Sequence, residues 1–414
     1  MADILDALRD RVLFVSYGGG HAASLAPVAK ELERRGVPFS ILGLTTAASY
    51  FARHSLEPLG MADLVGRVPG YEHAVKTGER LAAGQPRHGA VSATETAAYL
   101  GAGYIALERM YGAEEAQRRY DRFNRQSFRP LDFFDRLFAA VRPRVLVATN
   151  SPRSEQAALS AAGSAGIASL CLVDLYAAFE IEWCAAPGYA DRVCVLNETI
   201  AERFRTRGAD PAAVRVTGNP AFDRLGLLDR HTVRARHRAA LGLRDGDRLI
   251  VWISQPEPQL HPFSGVRGDP SLPARIETEL AQGFADASNV YLVMRLHPSE
   301  DRGPAVTGDR LRYGTASEPL DDLLCAADCV VTCSSTVGVE AGLLGIPVVQ
   351  VMRSIFSRDL PLADMGYATA ATGPEDLKAR IVDAFATGLR DPARVGITFD
   401  AAGRVADEIA GLRR

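Results

Sequence analysis

Residues 12–25, VLFVSYGGGHAASL, run from an apolar segment through three consecutive glycines and a histidine into small residues that open a helical pattern. An unbroken apolar run of this kind suits a strand buried on both faces, as in a parallel sheet. The text that follows, LAPVAKELERRG, has helical spacing and stops at Gly36, a residue type that closes helices because it tolerates left-handed backbone. A second apolar run, VPFSILGL, comes next. Strand, glycine turn, helix and strand make a βαβ unit, which predicts an α/β fold with a parallel sheet.

The same grammar returns near residue 248 with RLIVWIS, then NVYLVMRLHP, then LDDLLCAADCVVTCSSTVGVEAGLLGIPVVQV, whose helix ends at Gly345. A chain of 414 residues is too long for one ordinary core. The expectation is two Rossmann-like, doubly wound α/β domains facing across a cleft, one over 1–220 and one over 221–414. The turn text VRVTGNPAFDRL marks the passage between them. Residues 61–141, rich in Ala, Arg and Tyr, break the alternation and read as a helical insertion in the first domain. The closing text, AAGRVADEIAGLRR, reads as a short amphipathic helix over 401–414, placed with the second domain by continuity.

Composition narrows the function classes. Lys plus Arg number 47 against 50 Asp plus Glu, a formal charge of −3, so no global field gathers nucleic acid. No apolar stretch reaches the ~18–20 residues of a membrane span, and the opening MADILDALRD carries acids where a signal peptide carries bases. A cytoplasmic protein is expected. Cys325, Cys329 and Cys333 recur every fourth residue, a spacing that on one helix would suggest a metal. CVVTC reads instead as a strand that separates the thiols, so buried core cysteines and no metal are expected.

Three loops carry candidate chemistry, each directly after a strand. In SYGGGHAAS the dinucleotide fingerprint fails because Ala23 stands where a third glycine belongs, and no Lys-Ser/Thr completes a phosphate loop. What remains is a glycine corner, Gly19 and Gly20 among it, that lets a ligand approach the backbone, with His21 near a helix N-terminus. In RLHPSED, His297 and Ser299 can donate to an anionic oxygen. In CSSTVGVEAGLLG, Ser334, Ser335 and Thr336 occupy a helix start that favours an anion, and Glu340 lies one turn on. Each loop alone reads equally as a cap or a solvated turn. Together they fit one diphosphate.

These motifs resemble those of the GT-B glycosyltransferases and their relatives, the non-hydrolysing UDP-GlcNAc 2-epimerases. GGGHAAS is similar to the loop of galactolipid synthases and of the GlcNAc transferase of peptidoglycan synthesis. The His297–Pro298 and Ser334–Ser335 pairs resemble motifs of capsule, polysialic acid and teichoic acid transferases, and SSTVGVEAGLLGIPVV resembles the nucleotide-sugar helix of the group. The resemblance implies that Ser334, Ser335 and Thr336 hold a nucleotide diphosphate, that Glu340 takes the ribose, and that His297 contacts phosphate or sugar. Ser254 and Gln255 are expected near the phosphates, and the base near residues 312–316. The substrate implied is a nucleotide-sugar donor, UDP-linked by preference with CMP-linked open, and no further cofactor. The epimerases' Arg-Pro-Glu loop is replaced by SYGGGHAAS, which favours transfer over epimerisation.

Transfer needs charge stabilisation on the departing diphosphate and a base on the acceptor hydroxyl. An imidazole, with a reference pKa of ~6.5, suits neutral pH. His21 is the expected base, with Asp174 and Glu155 as rival carboxylates. The first domain would bind a sugar, lipid or small-molecule acceptor; Tyr99, Tyr104, Tyr111 and Tyr120 could stack on sugar rings, although their helical spacing suits packing better. Peripheral contact with the inner face of a membrane is a further implication of the resemblance. A 2-epimerase, a nucleotide-sugar hydrolase and a non-catalytic binder are the alternatives.

Overall fold

This computed structural model describes residues 4–83, 89–262, 264–300, 302–315, 317–390 and 399–413. The chain divides into two compact units, Met1–Asp223 with Asp400–Arg414, and Arg224–Phe399.

The first unit is built on seven strands: β1 (Val12–Tyr17), β2 (Phe39–Leu44), β3 (Pro58–Leu59), β4 (Val145–Thr149), β5 (Ala168–Leu172), β6 (Arg192–Val195) and β7 (Val214–Val216). They pair in the order β3-β2-β1-β4-β5-β6-β7, all parallel. The chain winds outward from β1 in one direction, then returns to β4 and winds in the other. The β1/β4 edge is therefore a topological switch point, where the loops beyond the strands' carboxyl ends splay apart. Every residue of β4 and the first five of β1 are buried, which accounts for their unbroken apolar text.

Between β3 and β4 the expected insertion is helical, its longest members being Ala93–Tyr111, Ala113–Phe123 and Leu131–Val141. The helices Ala74–Ala82 and Ala93–Tyr111 lie in close contact: a Cβ on Gly78 would sit 1.7 Å from the Ala97 carbonyl oxygen, and one on Gly101 1.7 Å from that of Ala74. Tyr99, Tyr104 and Tyr120 are buried in packing here and only Tyr111 is exposed. Sugar stacking by the buried three is excluded by that packing.

The terminal helix Ala401–Leu412 belongs to the first unit, a correction to its expected place with the second. Its Val405, Ala406 and Ile409 are wholly buried in the core formed by β1, β4 and the helix Gly19–Arg34. Each such side chain contributes on the order of 1–3 kcal/mol by leaving water. Asp223 fixes its start by accepting the backbone N–H groups of Ala401 and Ala402, both at 2.8 Å. The apolar stripe had no partner in the second unit's text that a sequence could rank above this one.

The second unit holds β8 (Arg248–Ile253), β9 (Val290–Arg295), β10 (Leu311–Tyr313), β11 (Cys329–Thr332), β12 (Val348–Val351) and β13 (Thr369–Ala371). Their order is β10-β9-β8-β11-β12-β13, again parallel throughout. Its switch point is the β8/β11 edge. Cys329 opens β11 and Cys333 follows it; with Cys325 all three thiols are free and buried. Burial pushes the Cys329 and Cys333 thiols far up, which keeps them inert.

Candidate functional site

In the first unit the glycine corner leaves the switch point. β1 ends at Tyr17, Gly18 adopts φ 87°, and the helix Gly19–Arg34 begins. Only Gly18 needs a glycine's backbone freedom; a Cβ on Gly20 would meet nothing within 4 Å. His21 lies in the first turn, and its Nδ1 faces the Thr149 hydroxyl at 3.1 Å and an Asp174 carboxylate oxygen at 3.8 Å. Thr149 ends β4 and Asp174 follows β5, so two neighbouring strands converge on one imidazole nitrogen.

Asp174 is held on three sides. Its amide donates to Asn150 Oδ1 at 3.0 Å, its carboxylate accepts the Leu175 amide at 2.7 Å, and its carbonyl accepts from the Asn219 side chain. The Thr149 hydroxyl and the Asp174 carboxylate both offer oxygens to Nδ1, an arrangement that suits the tautomer with its proton on Nδ1 and its lone pair on Nε2. Sequence reasoning missed Glu180, whose carboxyl is raised by burial and by the Asp174 charge, with His21 acting in the opposite sense. It also missed Thr149. The visible signal was position alone: Thr149 closes an apolar run and Glu180 lies six residues after Asp174 in DLYAAFE. Ala177, between them, has φ 50° and Arg153, after β4, has φ 73°. Strained non-glycine backbone of this sort gathers at functional edges.

Glu155, the rival base, is fully buried, and burial pushes its carboxyl up to about 8. It accepts the Tyr17 amide at 2.5 Å. A carboxyl so enclosed cannot reach an acceptor, and this removes it from the base role.

In the second unit the loops after β8 and β11 are tied together. The Ser334 amide donates to Gln255 Oε1 at 2.8 Å, and Gln255 Nε2 donates to Ser334 Oγ at 3.1 Å and to Ser354 Oγ at 3.3 Å. Ser335 is the N-cap of the helix Thr336–Leu343, its Oγ accepting the Val337 amide at 3.2 Å. These bonds consume some of the donors expected for a phosphate. Among the described residues the Ser335 and Thr336 amides and the exposed Thr336 hydroxyl keep no protein acceptor, so a helix-start anion site is left there.

His297 is exposed and oriented by its own turn. The Ser299 amide donates to its Nδ1 at 3.1 Å, Ser299 Oγ lies 2.6 Å from that nitrogen, and the His297 amide donates to Glu300 at 2.8 Å. An accepting Nδ1 puts the ring proton on Nε2, which faces away as a donor suited to an anionic oxygen. Ser299, expected as a second donor to a ligand, serves the imidazole instead.

Ser254 is buried and reached by Glu300, 3.0 Å away, and by Arg302, 3.3 Å away. Arg302 also binds Glu277 at 2.5 Å, and Tyr313 donates to Glu277 at 2.7 Å. This buried network supports the Ser254 and His297 loops from below; Ser254 is thus a brace in this arrangement. Glu340 meets Arg224, which in turn holds Asp321 at 2.5 and 2.6 Å. Burial raises the Glu340 carboxyl and Arg224 opposes the rise. Any ribose contact by Glu340 has to be shared with that guanidinium. Of the stretch expected to meet the base, Arg312 is bound by Glu318 at 2.5 Å, and residue 316 lies outside the described residues.

No protein-family model matches the chain, and no curated protein matches it by sequence. Solved structures do. The glycosyltransferase of kitacinnamycin superposes with a TM-score of 0.55 at 15% identity, covering 98% of this chain and 100% of that one. The calicheamicin glycosyltransferase gives 0.54 at 15%, covering 98% of each. The chain has the GT-B fold. UDP-GlcNAc 2-epimerase from Neisseria meningitidis, solved with UDP-GlcNAc bound, gives 0.57 at 11% identity over 97% of this chain and 100% of that one. At these identities the likeness establishes the GT-B architecture and leaves the reaction to be argued from side chains. No described helix is long and apolar enough to cross a membrane.

Proposed function

We propose that this protein is a metal-independent, inverting glycosyltransferase that moves a sugar from a nucleotide-sugar donor, UDP-linked by preference and CMP-linked as the alternative, to a hydroxyl acceptor. The observation that carries this reading is the environment of His21, whose Nδ1 is occupied by Thr149 and Asp174 while Nε2 is left to take a proton. As the acceptor oxygen attacks the anomeric carbon, His21 Nε2 removes its proton, the bond from that carbon to the diphosphate breaks, and the electron pair leaves with the diphosphate. Within the second unit, the Ser335 and Thr336 amides, the helix dipole and the His297 Nε2–H are the groups suited to a donor's diphosphate. Gln255 and Ser254 keep the receiving loops in place, and Glu340 takes the ribose while paired with Arg224. Gly19 and Gly20 let substrate approach the backbone in the first unit.

A second reading has its own support. Glu180, raised by burial close to Asp174, supplies the paired acids that a 2-epimerase or a donor hydrolase would use. The two readings part on one measurement. Incubation with UDP-, CMP-, GDP- and CDP-sugars should release nucleotide only when a sugar, lipid or other hydroxyl acceptor is present; release without an acceptor selects the second reading. His21→Ala should abolish acceptor-dependent release while UDP binding stays within about twofold, and Thr336→Val, which removes the exposed hydroxyl left without a protein acceptor, should weaken UDP binding about tenfold, the loss of one charge-assisted contact. Full transfer by His21→Ala would remove it from the base role.

A further inference from the structure

Of the buried side-chain polar atoms that lack a hydrogen-bond partner among the described residues, five lie beside the glycine corner: Ser16 Oγ, Tyr99 Oη, Arg153 Nε, Ser154 Oγ and Glu155 Oε2. Natural interiors rarely leave such groups unpaired, and a concentration of them asks for a reason. The strand register singles out one of their owners, Glu155. β1 pairs with β4 from Val12↔Val145 to Val15↔Ala148, and β4 ends at Thr149. The chain has already turned away where Tyr17 would seek an acceptor on that side. Glu155, in the first turn of the helix Ser154–Ser164, fills the gap by accepting the Tyr17 amide at 2.5 Å across 138 residues of sequence.

We propose that Glu155 is a positioning residue for the glycine corner: it completes the edge of β1 at Tyr17 and through Tyr17 holds Gly18 and the helix start that carries His21. This rests on the reading of His21 as the base. Tyr17 is clamped on its other faces as well. The Arg153 guanidinium lies 4.4 Å over its ring, placed there by a backbone at φ 73°, and the Tyr99 ring stands 5.3 Å away. The groups that face Glu155 are Tyr17 from β1, Tyr99 from the helix Ala93–Tyr111, Ser151 and Arg153 from its own turn, and Tyr189 from the segment before β6. Arg153 favours the carboxylate form, yet it makes no hydrogen bond to Glu155, and complete burial outweighs it.

Glu155 therefore works as a neutral acid at pH 7, one oxygen accepting from Tyr17 and the other carrying the proton. As pH rises to about 8, its ionisation increasingly places an unpaired charge beneath the corner. The enclosure cannot solvate that charge without opening, so the corner loosens and His21 departs from Thr149. The device gives the first unit an upper pH limit set by a residue that never touches substrate.

Amide hydrogen exchange of residues 12–25, corrected for the intrinsic rate, tests this on the full chain between pH 6.5 and 9.5. The wild-type segment should lose protection at least tenfold between pH 6.5 and 8 and level off above that, and Glu155→Gln, neutral and of the same shape, should keep its pH 6.5 protection throughout. Unchanged wild-type protection, or the same fall in Glu155→Gln, would overturn the proposal. Glu155→Ala should be deprotected at every pH; the glutamine variant keeps the test valid if the alanine variant does not fold. In the transfer assay Glu155→Gln should hold kcat as pH rises to 8 where the wild type declines, with donor KM alike in both. A protein with no acceptor-dependent turnover would defeat the proposed function and leave the exchange result to stand alone.

Discussion

Arg302 is the side chain whose loss tests most directly how the second unit supports its loops. Glu277 is wholly buried in the helix Leu272–Gly283, and Arg302 meets its two carboxylate oxygens at 2.5 and 3.2 Å. The same guanidinium binds Glu300 at 3.0 Å and Ser254 Oγ at 3.3 Å, and Glu300 accepts the His297 amide. Arg302→Met keeps the aliphatic bulk and removes the charge. Stripping one partner from a buried ion pair costs about 3–5 kcal/mol, because the surviving charge stays out of water. Tyr313 continues to donate to Glu277, and Arg302 itself is partly exposed, its side chain at 27%. The lower end, about 3 kcal/mol, is the expected loss.

Urea unfolding followed by fluorescence of Trp252, the tryptophan of the second unit, reads it in a Trp183→Phe background that silences the first. The double variant Glu277→Gln with Arg302→Met should recover at least half of the loss, since no uncompensated carboxylate remains. UDP affinity should fall in the single variant as the His297 turn loses its Glu300 anchor. A loss below about 1 kcal/mol, the scale of an exposed pair, or a double variant no more stable than the single one, would refute the reasoning.

Two further outcomes follow from the first unit. Because the Glu155 carboxyl rises from 4.5 to about 8 on folding, the fold favours its protonated form; that stabilisation is complete below pH 4.5 and declines through pH 8 at about 1.4 kcal/mol per pH unit, about 5 kcal/mol in all. Unfolding read by Trp183 between pH 5 and 8 should show a slope that Glu155→Gln makes shallower by that amount, and equal slopes would contradict it. Asp223→Ala should cost about 1–2 kcal/mol by leaving the Ala401 and Ala402 amides uncapped, and limited proteolysis should then release the terminal helix faster.

The strands were legible because buried parallel strands are written as short unbroken apolar text closed by turn residues, as VLFVS before the glycines after β1 and RLIVWI before SQP after β8. Glycines at stops and hydroxyls at helix starts were equally local, so the Gly18 corner and the Ser335 cap could be read from neighbours in the chain. Partners were not. Whether Ser334 meets phosphate or Gln255, and whether Glu340 is free or bound to Arg224, depends on residues 79 and 116 positions away. The terminal helix was misplaced for the same reason: its apolar stripe says that it packs, and nothing in the stripe says against what.

By itself, then, the sequence determined the elements, their parallel winding and the loops at which chemistry could gather, since these follow from periodicity and turn stereochemistry over a few residues. The tertiary structure alone decided which candidate side chains remain available. It committed Ser299, Ser254 and Glu155 to supporting roles, left the Ser335 and Thr336 amides open, and gave His21 a hydroxyl and a carboxylate on one nitrogen. The physical reason is that a buried polar group must find a partner, and the identity of that partner is fixed only when strands distant in sequence come to lie side by side.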